Sequence, residues 1–153
     1  MTTDAPDLSA TIGRGLLAGV AGTAVMTAFQ KFIEMPVTER EDSYAPAMFA
    51  HKVLAISPRS GQALDRLNYA THFGLGTMWG AAYGVAAHAG LRGAKAVAAV
   101  FVAVYTGDVL LNTALGLYEP WKWSRQDLVV DVVDKLVQAA ATGAIYDHWL
   151  APA

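Results

Sequence analysis

Residues 67–91 read LNYATHFGLGTMWGAAYGVAAHAGL, twenty-five positions without one Asp, Glu, Lys or Arg. A helix on the surface of a soluble protein carries a charged outer face, and this stretch has none to offer. About 20 predominantly apolar residues cross the hydrocarbon core of a bilayer as a helix. Within the stretch His72, Gly76, Gly80, Gly84 and His88 recur every four residues and form one slowly drifting ridge. Glycines on a ridge let a second backbone approach closely, which is one way helices associate in lipid. The stretch predicts a transmembrane helix packed on its glycines, with the remaining segments as its partners.

The rest of the chain fits that expectation. Only 16% of the residues are charged, against about 25% in soluble domains, and 54% are hydrophobic. A length of 153 residues predicts a single domain over residues 1–153. The net charge is −2 and no basic tract carries interleaved aromatics, which argues against nucleic acid as a partner. There is no cysteine, hence no disulfide, thiolate metal site or cysteine nucleophile. The opening MTTDAPDLSATIGRG has two acids, one arginine and no clear small-x-small cleavage site after it, so an uncleaved first helix is expected.

Four spanning helices are predicted, over about residues 12–34, 67–91, 96–118 and 126–149. Residues 1–10 are polar and expected to be disordered, with Ser9 or Thr11 as the helix cap. The first helix should stop before Pro36, and carries Gly15, Gly19, Thr23, Thr27, Gln30 and Glu34 on one side. Leu16, Leu17, Val20, Phe29 and Phe32 lie mostly elsewhere on it. Residues 35–66 are the non-spanning segment. Between Pro46 and Pro58 they form a short amphipathic helix with Phe49, Val53 and Ile56 on one face, and a second short helix begins near Gly61. The third spanning helix has Asp108 as its one formal charge, almost at its midpoint, and Trp121, Lys122 and Trp123 follow it like an interfacial belt. On the fourth, Asp127, Asp131, Asp134, Lys135, Gln138 and Thr142 occupy a stripe about 100° wide. The fold class expected is all-α, a bundle of four transmembrane helices with a short amphipathic surface helix between the first two. Cation counts favour both termini outside, while five acids in the long loop and the habit of bacterial four-span proteins oppose this; the orientation stays open.

Alternating helix directions bring the polar groups together. Gln30, Glu34, His72, Asn112, Asp131, Asp134 and Lys135 all fall in one half of the membrane, with Asp108 near the midplane. A polar pocket entered from the long-loop side is predicted, built from His72, Asp108, Asn112, Asp131, Asp134 and Lys135. A charge at mid-bilayer costs at least about 2.5–3.5 kcal/mol and needs a partner or a role. In the structural reading Asp131 pairs with Lys135, while Asp108 is protonated or hydrogen-bonded to Asn112, Tyr105 or His72. In the functional reading the excess carboxylates handle protons or a small solute, with His72 as relay. A metal at His72, Asp131 and Asp134 lacks a second histidine at helical spacing, and haem between His88 and His148 has only two surface histidines to stand on. No metal or cofactor is expected. Without G-x-S-x-G or a base beside Ser124, no enzyme is expected either. The alternative role is a structural subunit that forms a homo-oligomer, or docks on a membrane complex, through Gly76, Gly80 and Gly84.

GLLAGVAGTAVMTAFQ at 15–30, HFGLGTMWGAAYG at 72–84 and WKWSRQDLVVDVVDK at 121–135 resemble the YagU-like group, small bacterial inner-membrane proteins of largely unknown function. The similarity spans the first, second and fourth predicted helices. It implies a multi-pass protein of the bacterial inner membrane, with the lipid bilayer as its partner and a loose association with acid stress.

Overall fold

The computed structural model describes residues 7–151, all-helical among them, in five helices. These are α1 (Leu8–Thr38), α2 (Ala45–Leu54), α3 (Gly61–His88), α4 (Gly93–Ala114) and α5 (Arg125–Ile145). A 3-10 turn at Pro120–Lys122 joins α4 to α5, and a π turn at Tyr146–Leu150 ends α5. The four long helices pack side by side: α1 touches α3 and α5, α4 touches the same two, and α2 lies on α3. Two of them, α1 and α4, are long and apolar enough to cross a membrane, with mean hydropathies of 1.4 and 1.7 over their most apolar windows.

Local chemistry sets the boundaries and corrects several expected from the sequence. The disorder expected of residues 1–6 lies outside the described residues, but Asp7 to Ala10 are ordered. Asp7, not Ser9 or Thr11, caps α1 by accepting the Ser9 amide at 3.1 Å. α1 does not stop before Pro36. Its backbone widens into a π turn over Gln30–Glu34, where the Met35 amide donates to the Gln30 carbonyl, and Pro36 then opens a new α turn in which its missing N–H is not needed. Glu39, at φ 58°, ends the helix. The short helix expected near Gly61 is continuous with the next one, because no proline or glycine interrupts residues 62–73; Ser60 caps the whole of α3. α4 ends at Ala114 rather than 118, because Gly116 at φ 71° turns the chain and the Leu117 amide closes on the Asn112 carbonyl at 2.8 Å. α5 starts with a capping box in which Ser124 and Asp127 satisfy each other's amides. In α2 the buried residues are Ala47 and Ala50, and Phe49 is half-buried, while Val53 and Ile56 of its expected face are exposed.

α1 and α3 meet backbone to backbone on glycine. A Cβ added at Gly19 would stand 2.8 Å from the Gly76 carbonyl oxygen, and one at Gly84 2.7 Å from that of Thr11. A Cβ at Gly80 would strike the Gly15 carbonyl and come within 2.6 Å of the Gly19 amide. Of the remaining segments expected to pack on the ridge it is α1 that covers it, which leaves no open glycine face there for a second molecule. Spacing marks a glycine face but does not name what covers it.

A hydrophobic core around Ala18, Trp79, Tyr83, Val100 and Tyr146 shares the interior with polar side chains, and large apolar residues also cover the outside. Thr11, Thr23, Asn112, Asp134, Gln138 and Thr142 are buried, whereas Leu17, Met78, Val102, Leu110 and Val129 are each about 60% exposed on the outside of the four long helices.

Gly80→Leu is expected to cost more than about 3 kcal/mol, above the usual range for overpacking, because the atoms it meets are backbone and cannot swing away. Gly74→Leu, where an added Cβ meets nothing within 4 Å, should be tolerated. Thermal unfolding of the detergent-solubilised variants measures the difference.

Candidate functional site

The C-terminal halves of α1 and α4 and the N-terminal two-thirds of α3 and α5 converge on a cavity of about 200 Å³. All six residues expected to form a polar pocket, namely His72, Asp108, Asn112, Asp131, Asp134 and Lys135, line it. α1 supplies Thr27, Gln30 and Glu34 from the turn where its π segment begins and ends, a position at which helices are often widened near functional groups. Residues 40–46 and Phe49 form the outer rim, so the cavity lies under the segment between α1 and α2.

The pairings differ in part from those expected. Lys135 Nζ stands 3.8 Å from Asp108 Oδ2, not against Asp131. Asp108 Oδ1 accepts from the Asn112 side-chain amide at 3.0 Å, one of the expected partners. Asp131 accepts from the Tyr105 hydroxyl at 2.8 Å, so the i,i+4 neighbour Lys135 is free to lean towards α4. Asp134 is 6% exposed and accepts from the Gln30 amide at 2.6 Å. His72 Nε2 lies 3.0 Å from the Thr27 hydroxyl, which ties α3 to α1. Glu34 is also buried and accepts from the Thr38 hydroxyl at 2.7 Å.

Below Asp134 the polar lining continues inward. Gln138 is fully buried and donates to the Thr23 hydroxyl at 3.1 Å and towards that of Thr142 at 3.3 Å. Besides Thr113, Tyr146 and Asp147, three cavity-lining side chains hold a buried oxygen with no hydrogen-bond partner among the described residues: Asp108 Oδ2, which faces Lys135, and Asp134 Oδ1 and Gln138 Oε1, whose side chains are more than nine-tenths buried. An unpaired buried acceptor costs about 1–3 kcal/mol, so the last two atoms mark where a proton donor or cation is wanted. The lining carries six carboxyl groups, Glu34, Glu41, Asp42, Asp108, Asp131 and Asp134, against the cations of Lys31, Arg40 and Lys135. Among the described residues no group of three His, Asp or Glu is arranged to hold a metal ion.

The rim is fastened by polar contacts. Lys31 pairs with Asp42 at 2.7 Å, Asn68 binds the Ser43 carbonyl and the Ala47 amide, and Gln126 donates to the Thr38 carbonyl. The Tyr44 hydroxyl donates to Asp65 at 2.7 Å, and that carboxylate holds the phenol above its ordinary pKa.

The opposite end holds a cluster that sequence reasoning missed. Asp147 accepts from the Tyr83 hydroxyl at 2.5 Å and from the Gly93 amide at 2.8 Å, with Arg92 Nε at 3.8 Å. It caps the start of α4 from another helix, which no local pattern announces. His88 and His148, at this same end, are exposed.

Lys135→Met is expected to destabilise the protein by about 3 kcal/mol, the low end for breaking a buried pair, because both partners are about a quarter exposed. Adding Asp108→Asn should recover part of that loss. Unfolding of both single variants and the double variant in one detergent gives the coupling.

No protein-family model matches the chain, and no curated protein and no solved structure matches it either.

Proposed function

We propose that this is an integral membrane protein in which α1, α3, α4 and α5 all cross the bilayer as a four-helix bundle. In this reading α2 lies at the surface and the cavity handles protons or a small cationic or polar solute. The unpartnered Asp134 and Gln138 oxygens inside an acid-rich cavity carry the solute reading. Large apolar side chains on the outer faces of all four long helices, with several polar groups buried between them, support the spanning arrangement. In α4 only 11% of the most apolar window is buried, unlike the core helix of a soluble protein. Exposed Trp121, beside the Lys122–Glu119 pair, suits a headgroup region. A bacterial inner-membrane location is part of the same proposal and follows the resemblance to the YagU-like group.

Chemically, Asp108, Asp131 and Asp134 are the titrating groups and Lys135 is the counter-ion to Asp108. His72, against Thr27, passes a proton between the cavity and α1. A cation in the cavity takes the place of the donors that Gln30 and Tyr105 now offer, while the fully buried Gln138 supplies a carbonyl oxygen. The alternative role, a subunit docking through the α3 glycine ridge, has no observation in its favour, because α1 already covers that ridge.

The protein is expected to remain in the membrane pellet after carbonate extraction; release into the supernatant contradicts the spanning reading. In proteoliposomes, downhill proton or methylammonium flux should fall at least tenfold in Asp134→Asn and stay unchanged in Val102→Ala. Equal flux in wild type, Asp134→Asn and empty liposomes contradicts the solute reading.

A further inference from the structure

A second recess, of about 280 Å³, lies between α4, the 3-10 turn and α5. Its walls are Val109, Leu110, Pro120 and Leu128 with Tyr105, Thr106 and Trp123, and none carries a charge. Leu110 and Leu128 are 64% and 50% exposed, so the recess opens on the outer apolar face rather than towards the rim of residues 40–46. It backs directly onto the acidic cavity. The Tyr105 ring lines the recess while its hydroxyl donates to Asp131 of the cavity. Tyr118 lines the cavity and Trp123 the recess, and the two rings meet edge to face at 5.5 Å. One hydrogen bond, Tyr105 to Asp131, and one aromatic contact, Tyr118 to Trp123, thus link the walls of the two spaces.

We infer that the recess and the cavity form one site for an amphipathic monovalent cation, its alkyl chain lying in the recess and its ammonium head reaching Asp131 past Tyr105. This rests on the proposed solute-handling role and names its substrate class. Charge complementarity selects the occupant. The cavity offers six carboxylates against three cationic side chains, a net negative lining that repels an anionic head, while the uncharged recess suits hydrocarbon. Each compartment is smaller than the roughly 300–1,000 Å³ of a pocket for a drug-sized ligand, which suits a small head and a chain of modest length. The aromatic rings of Tyr105 and Trp123 flank the path of the head, and cations are attracted to such faces. Lateral entry also avoids opening the Lys31–Asp42 and Asn68–Ser43 fastenings of the rim.

The test is photolabelling of the full chain in nanodiscs with decyltrimethylammonium bearing a diazirine at the chain end. Labelled residues are mapped by peptide mass spectrometry, and tetramethylammonium binding is measured in parallel. Labelling is expected to concentrate on Val109, Leu110, Trp123 and Leu128. Unlabelled decyltrimethylammonium should compete and decyl sulfate should not, and Asp131→Asn should lower the labelling at least fivefold. Leu110→Trp, which fills the recess without touching the cavity, should lose the label and keep tetramethylammonium binding. Labelling spread evenly over Leu17, Val85, Val102 and Val129 overturns the inference; if tetramethylammonium still binds, the small-cation reading survives alone. Loss of both signals in the wild type overturns both.

Discussion

The backbone contact between α1 and α3 is the constraint on which the other positions depend. Gly15 and Gly19 lie against Gly76, Gly80 and Gly84 with no side chain between them, and Thr11 and Thr23 close the two ends of the contact. The same device recurs at α5, where a Cβ on Gly22 would strike Thr142 and one on Gly143 would come within 2.8 Å of the Tyr83 ring. Small residues at three interfaces draw the helices close enough for short polar side chains to bridge them. Gln138 reaches Thr23, Gln30 reaches Asp134, and His72 reaches Thr27 only at such separations. Close packing of this kind gains dispersion contacts and leaves little room for water.

That geometry leaves buried polar atoms without hydrogen-bond partners at both ends of the interior, Tyr146 Oη and Asp147 Oδ1 at one and Asp134 Oδ1 and Gln138 Oε1 beside the cavity. At the Tyr83 end, Asp147 gathers a hydroxyl, an amide and a guanidinium around one carboxylate. Around the cavity, six carboxylates face three cationic side chains, and Asp108 Oδ2, Asp134 Oδ1 and Gln138 Oε1 have no hydrogen-bond donor among the described residues. A core selected only for stability would replace such groups with apolar ones at little cost, or a gain. Their presence under an acid-lined opening is what links packing to a solute-handling role. The apolar outer face completes the pattern: the helices have little to gain by turning their polar sides outwards if hydrocarbon surrounds them.

Much of this was readable in the chain, and the remainder was not for identifiable reasons. Four-residue spacing exposed the glycine ridge, and alternating helix direction placed His72, Asp108, Asn112, Asp131, Asp134 and Lys135 in one half, where they line one cavity. Spacing could not say that α1 covers the ridge, because a small-residue face fits any small-residue partner. Lys135 was expected on Asp131, a sound i,i+4 pairing on an isolated helix; the hydroxyl of Tyr105 competes for that carboxylate, and Asp108 across the interface accepts the ammonium. Pro36 read as a stop, yet a π turn just before it lets the helix continue. Asp147 could not be found at all, since it caps a helix distant in sequence.

The central claim is that the outer faces of the four long helices meet hydrocarbon while the cavity meets water. The absence of cysteine makes single-cysteine accessibility in native membranes the direct measurement. Cysteine placed at Val85, Val102 and Leu136 should resist a membrane-impermeant maleimide until the membrane is dissolved, whereas cysteine at Asn68 or Tyr69 on the cavity wall should react at once. Rapid labelling of Val85→Cys, Val102→Cys and Leu136→Cys in intact membranes would contradict it.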